Sequence, residues 1–200
     1  MLITKIEPLT KTKYKIELDG DFAFVLYKGE VSRFGMKEQT ELSEELYTQI
    51  KEKVLLKRAK LRAMHLLTDM ARTEKGLREK LRHNLYPEDI IEETLAYVRS
   101  FGYLDDTRYA QNFIESRKTS KSRKELYAAL RQKGVSAEII EQAFSSCYPE
   151  ETEQEAIRHL LRKKRIDPSQ ISREERQKLY GYLARKGFSY EVVRSALELS

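Results

Sequence analysis

LRHNLYPEDIIEETL (residues 81–95), LRQKGVSAEIIEQAF (residues 130–144) and LARKGFSYEVVRSAL (residues 183–197) align without a gap. Each opens on Leu, has an apolar residue at its sixth place and a β-branched pair at its tenth and eleventh, and closes on Leu or Phe. Leu77, Leu126 and Leu179 stand four residues ahead of the opening Leu in every copy. The copies are offset by 49 and 53 residues, within the range of helical repeats. The pairs Ile90/Ile91, Ile139/Ile140 and Val192/Val193 share a helix face with the apolar residues four further on. Gly134 and Gly187 suit the left-handed position just past a helix C-terminus, where a Cβ is penalised. Ser136 and Ser189 can cap the next helix, and Pro87 suits its first turn. Each copy therefore reads as helix, tight turn, helix. The first copy has Asn84-Leu85 where the others have Lys-Gly.

Upstream of these motifs, Ser122-x-x-Glu125 and Ser172-x-x-Glu175 read as capping boxes. Thr73 holds the matching place in the first copy, with Gly76 where the acid would stand. A further helix precedes each pair, over about residues 43–70, 107–117 and 153–164. The expected fold is mainly α: three tandem three-helix repeats, over residues 43–104, 105–150 and 151–200, stacked into an elongated, curved solenoid. Such stacking buries faces that one repeat could not bury alone.

Residues 1–42 read differently. Two β-rich runs, residues 12–18 and 21–27, flank Asp19-Gly20, a strong signal for a hairpin with positive φ at both turn positions. Residues 2–7 can supply a third strand, so a small antiparallel β module is expected.

The chain has 200 residues, of which 40% are hydrophobic and 35% charged, enough apolar content for packed cores on a surface-rich molecule. Lys and Arg number 38 against 32 Asp and Glu, a net charge of +6. Residues 1–56 carry nine basic and ten acidic residues, so the positive balance lies in the helical region. That balance hints at a polyanionic partner. The single cysteine, Cys147, cannot form an intrachain disulfide, and the first thirty residues lack the pattern of a signal peptide. No stretch approaches the roughly 20 apolar residues of a membrane span. A soluble cytoplasmic protein without membrane association is expected.

Little in the chain points to catalysis. Asp105-Asp106 follows Gly102-Tyr103-Leu104 and precedes a helical stripe. It reads as a helix-ending glycine, two buried apolar residues and an N-cap carboxylate. His65, His83 and His159 are scattered, without metal-ligand spacing. The glycines form neither GxGxxG nor a P-loop, so no cofactor and no metal are expected.

Two basic clusters stand out. Arg117, Lys118, Lys121, Arg123 and Lys124 fall within residues 117–124, and Arg158, Arg162, Lys163, Lys164 and Arg165 within residues 158–165; neither run contains an acid. Cations complementing the negative end of a helix dipole account for one or two charges per cluster. A site that tracks a phosphate backbone accounts for five. Both readings stay open on sequence alone. Tyr127 and Tyr180, each directly after the repeat Leu, can stack on bases or pack with the hydroxyl at the rim.

The stretch Gly102-Tyr103-Leu104-Asp105-Asp106-Thr107-Arg108-Tyr109-Ala110 resembles the most recognisable segment of the RecX family, regulators of the bacterial RecA recombinase. Glu125-Leu126 with Leu130-Arg131-Gln132-Lys133-Gly134-Val135 resembles its next stretch. Ala63, Leu66, Leu67, Arg72, Thr73, Leu77 and Leu81 fit its first helical unit. The likeness covers about residues 57–200. It departs at Gly76, at Lys121-Ser122-Arg123, which lacks a glycine often found there, and at Asn84-Leu85.

The resemblance implies a non-enzymatic, monomeric modulator. Such a protein binds RecA and its filaments on single-stranded DNA, with duplex DNA as an open alternative. It damps filament growth, ATP hydrolysis, strand exchange and RecA-stimulated repressor cleavage. A curved, elongated molecule lying along the filament groove would contact more than one protomer. The residues expected at the interface are the two basic clusters together with Arg131 and Lys133. Three rival readings remain: a stand-alone DNA-binding protein built from three-helix units, a scaffold whose basic surface meets an acidic protein, and an enzyme assembled from acids brought together by folding.

Overall fold

A computed structural model describes residues 1–149 and 152–198 and divides the chain into two compact units, residues 1–104 and 105–200.

In the first unit, strands β1 (Ile3–Pro8), β2 (Lys13–Leu18) and β3 (Asp21–Tyr27) form an antiparallel sheet in the order β1-β2-β3. Asp19 and Gly20 make the β2–β3 turn with φ of 52° and 92°, the left-handed pair that a two-residue turn requires. Ile16 lies opposite Ile6 on one side and Phe24 on the other. One face of the sheet buries Ile3, Ile16, Phe24 and Leu26.

After helix α1 (Lys28–Arg33), that face is covered by a long helical run. The run comprises α2 (Glu44–Ile50), a π-helical segment (Lys51–Leu56) and α3 (Lys57–Asp69). The wider π turn shifts the buried stripe around the helix axis. Ile50, Val54, Leu55 and Ala59 pack into the sheet core, whereas Ala63 and Leu66 pack against α4 (Glu74–His83) and α5 (Glu88–Ser100). A single helical run thus serves both the β module and the first repeat. Arg58 fastens the two, pairing with Glu30 at 2.5 Å and donating to the Val25 carbonyl at 3.2 Å.

The second unit holds α6 (Asp106–Glu115), α7 (Arg123–Gln132) and α8 (Ala137–Cys147), then α9 (Thr152–Lys164), α10 (Arg173–Arg185) and α11 (Tyr190–Glu198). Each trio has its own core. Equivalent side chains fill equivalent places. Leu81, Leu130 and Leu183 are all fully buried, as are Leu77 and Leu126, with Leu179 nearly so. Of each β-branched pair the second member, Ile91, Ile140 or Val193, is buried in its own repeat. The first members differ: Ile90 is buried in the sheet core, whereas Ile139 and Val192 remain half-exposed. Among the described residues, only the first repeat has a sheet packed beside it within its unit.

The joints between paired helices share one hydrogen-bond pattern. The N–H two residues past the cap donates to the carbonyl of the repeat Leu: Tyr86 to Leu81, Val135 to Leu130 and Phe188 to Leu183. This geometry needs a left-handed residue at the turn. Gly134 (φ 87°) and Gly187 (φ 89°) supply it without strain, and Leu85 supplies it at φ 61°. Three local expectations change. Pro87 is the N-cap of α5, with ψ of 150°, and not a first-turn residue. Ser122 caps α7 by accepting from the Glu125 N–H, but the Glu125 carboxylate does not return to close the box; of the two expected boxes, the reciprocal pair forms at Ser172 and Glu175. Tyr103 is 51% exposed, leaving Leu104 as the buried residue of its pair.

Candidate nucleic-acid interface

The first basic cluster spans the α6–α7 connection. Arg117 and Lys118 follow the C-terminus of α6, where both backbone N–H groups donate to the Ile114 carbonyl and where cations complement the helix dipole. Arg123 and Lys124 occupy the first turn of α7, the positive end of that helix, where the dipole disfavours them. Local structure therefore explains the first two charges and opposes the last two. Acids offset part of the excess: Lys118 pairs with Glu115 at 2.9 Å and Arg123 with Glu141 at 2.6 Å. The Arg123 N–H donates to Glu153 at 2.9 Å. Among the described residues, no carboxylate lies within ion-pair distance of Arg117, Lys121 or Lys124.

Two of these cations lie on aromatic faces, which holds long side chains in defined places. The Arg117 guanidinium sits 4.2 Å from the Phe113 ring centre and that of Arg123 sits 4.3 Å from Phe144. Lys133 approaches the same Phe113 ring at 5.8 Å, so the structure brings it together with Arg117. Arg131 donates to the Val135 carbonyl at 2.9 Å and so braces the α7–α8 turn.

The second cluster ends α9. Arg158 is half-buried in the helix; Arg162, Lys163 and Lys164 form its last turn, and Arg165 caps it at φ 56°. The dipole favours cations there. Lys164 lies 4.7 Å from the Tyr182 ring, and Lys186 reaches the same ring at 5.9 Å while approaching Glu125 at 3.7 Å. Tyr182 and Lys186 thereby link the end of the second cluster to the beginning of α7. Sequence reasoning passed over Lys186, although it is the repeat equivalent of Lys133 and the gapless alignment contains that signal.

The other singled-out residues have structural places. Asp105 caps α6 by accepting from the Arg108 N–H at 2.9 Å, and Gly102 ends α5 at φ 69°. Tyr127 packs against the core of the second repeat, and Tyr180 stacks on Tyr190 at 5.3 Å. Cys147 donates to the Ala143 carbonyl, and burial pushes its thiol pKa up, which disfavours the thiolate. Among the described residues, no helix is long and apolar enough to cross a membrane.

Comparison with known proteins accounts for the threefold pattern. Residues 59–97, 105–143 and 151–197 match the first, second and third three-helix domains of RecX, in that order. The chain is 36% identical to the regulatory protein RecX of Caldanaerobacter subterraneus subsp. tengcongensis over 202 aligned residues, spanning 100% of both. It is 31% identical to that of Leuconostoc citreum, covering 98% of this chain and 75% of the relative. A crystal structure of a regulatory protein RecX, 29% identical, aligns over 98% of each chain with a TM-score of 0.63. That of RecX from Lactobacillus salivarius, 23% identical, shares the fold over 72% of this chain and 94% of its own, with a TM-score of 0.61. With all three helical trios matched in order and relatives similar end to end, the chain belongs to the RecX family of regulatory proteins.

Proposed function

We propose that this protein is a non-enzymatic regulator that binds RecA and RecA–single-stranded DNA filaments, and that it damps filament growth, ATP turnover, strand exchange and coprotease activity. The observation that carries this reading is the end-to-end relationship to regulatory proteins of the RecX family. The cationic α6–α7 connection and α9 terminus suit a nucleoprotein partner, because each Lys or Arg placed near a phosphate releases counterions. Arg117, Lys121 and Lys124 are the foremost contacts, with Lys133, Arg162, Lys163, Lys164 and Arg165 beside them. Successive three-helix repeats offer separate points of contact, so binding across neighbouring protomers raises the effective concentration of each. The regulator shifts the filament toward disassembly only through a difference in affinity between the states it meets.

The deciding experiment adds the protein to preformed RecA–single-stranded DNA filaments and follows ATP turnover and filament length. Both are expected to fall at stoichiometric ratios. Unchanged turnover and length at excess protein would refute the reading. Tight binding to naked DNA that RecA does not alter would favour a stand-alone DNA-binding protein.

A further inference from the structure

The first unit contains a cavity of about 390 Å³ at the junction of β3, α3 and the α4–α5 turn. This volume lies in the range of small-ligand sites. Its walls carry Lys13, Arg58, Arg62 and His65, and among the described residues no carboxylate lines it. Glu30 neutralises Arg58. Lys13 and Arg62 have no acid within ion-pair distance among the described residues. Beside these cations stand Tyr27, Tyr86, Leu61 and Leu85. The Tyr27 ring is held in place by Arg58 at 4.5 Å and Lys13 at 5.5 Å.

Two departures of the first repeat from its siblings, Asn84 and Leu85, serve this cavity. Where repeats two and three have lysine, Asn84 stands in the wall and accepts from Arg62 Nε at 3.0 Å, a bond that leaves both terminal guanidinium nitrogens as donors. Where the siblings have glycine, Leu85 holds a left-handed backbone at φ 61° and adds its side chain to the wall. A branched side chain is disfavoured in that conformation, and such strain concentrates at sites of function. Cations without acids, next to exposed apolar and aromatic side chains, match a ligand with an anionic group and a flat ring.

We propose that this cavity binds a nucleoside phosphate, with the phosphate on Lys13 and Arg62 and the base against Tyr27, Leu61 and Leu85. The proposal does not rest on regulation of RecA. The same chemistry is presented by a free nucleotide and by one nucleotide of a single strand, so the test uses both.

The experiment follows the Leu61 and Leu85 methyl resonances of the full chain during titration with adenosine monophosphate, with a thymidine oligonucleotide and with inorganic phosphate, all without RecA. Saturable shifts with the mononucleotide, competed by phosphate, are expected and identify a free nucleotide as sufficient. Shifts with the oligonucleotide alone identify a strand as the source, and also support the site. Arg62→Ala, at an exposed position, is expected to weaken nucleotide binding at least tenfold, whereas Lys178→Ala, at an exposed position in the second unit, leaves it unchanged. Leu85→Gly, which relieves backbone strain and so preserves folding, is expected to weaken nucleotide several-fold while leaving phosphate affinity unchanged. Absence of methyl shifts with every probe would overturn the proposal. So would equal affinity of the wild type and Arg62→Ala, or shifts produced by a glutamate-rich peptide and by no nucleotide.

Discussion

The hydroxyl of Ser122 donates to the carbonyl of Lys186 at 2.7 Å, joining residues 64 apart in sequence. The same oxygen accepts from the Glu125 N–H at 3.1 Å, so one fully buried side chain caps α7 and ties the second repeat to the turn of the third. Ser122→Ala removes both bonds and leaves the Lys186 carbonyl without that donor. The expected loss is about 1–3 kcal/mol, from the cap and the unmade hydrogen bond together, read as a lower midpoint in urea unfolding.

Gly187 lies against this joint. A Cβ there would stand 2.9 Å from Ser122 Oγ and 3.1 Å from Lys124 Cβ, and its φ of 89° already disfavours a side chain. Gly102, at φ 69°, has nothing within 4 Å of such a Cβ. Gly102→Ala is expected to cost only the left-handed conformation, about 1 kcal/mol. Gly187→Ala is expected to cost more, because neighbours must move as well. Equal losses for the two variants in urea unfolding would show that the close approach to Ser122 is not a constraint.

Leu85 is the opposite case. Replacing it with glycine releases a left-handed Leu that is already 36% exposed, at the cost of extra freedom in the unfolded chain. Leu85→Gly is expected to raise stability by about 0.5–1 kcal/mol, seen as an increase in melting temperature. A decrease would mean that its packing outweighs the strain.

Arg78 connects α4 to α5 through Glu88 and Glu92 and pairs with Glu74 within α4. The hydrogen bond from Arg78 holds the Glu92 carboxyl below its ordinary value of 4.5, and Arg82, then Arg78, do the same for Glu88. Folded-state pKa values below the unfolded ones mean that this stabilisation is complete above about pH 4.5 and is lost as pH falls through the lower folded values. Arg78→Ala is therefore expected to be less stable than wild type at pH 6, and the two should converge toward pH 3. A constant gap across that range, in denaturation curves at several pH values, would assign the Arg78 contribution to packing.

The basic cluster of the α6–α7 connection separates into engaged and available charges. Lys124 has no acid within ion-pair distance among the described residues, whereas Lys118 is held by Glu115 and by the Cys147 carbonyl. Lys124→Ala is expected to lower the salt dependence of single-stranded DNA binding by roughly one phosphate contact, and Lys118→Ala by less. Fluorescence anisotropy across a salt series measures both slopes, and an unchanged slope for Lys124→Ala would remove that residue from the interface.

Much of this architecture is written locally. The three helix pairs were legible because a helix stripe recurs every three to four residues and because the turn between paired helices demands a left-handed residue, which Gly134 and Gly187 announce. The hairpin was legible for the same reason at Asp19-Gly20. Residues further from a neighbour's control were not. Tyr103 lies beside a buried Leu104 yet is exposed, and Glu125 stands at the right spacing for a capping box yet faces Lys186.

The repeats, the serine caps at Ser122, Ser136 and Ser172 and the location of positive charge were legible in the sequence, because they follow from backbone preference and spacing over a few residues. Tertiary structure alone decided which charges are spent on acids, as Arg123 is on Glu141. It alone carried one helical run across both the sheet and the first repeat, and it alone gathered Lys13, Arg62 and Leu85 around one cavity. Those outcomes depend on partners tens of residues apart, whose meeting is set by how whole helices pack.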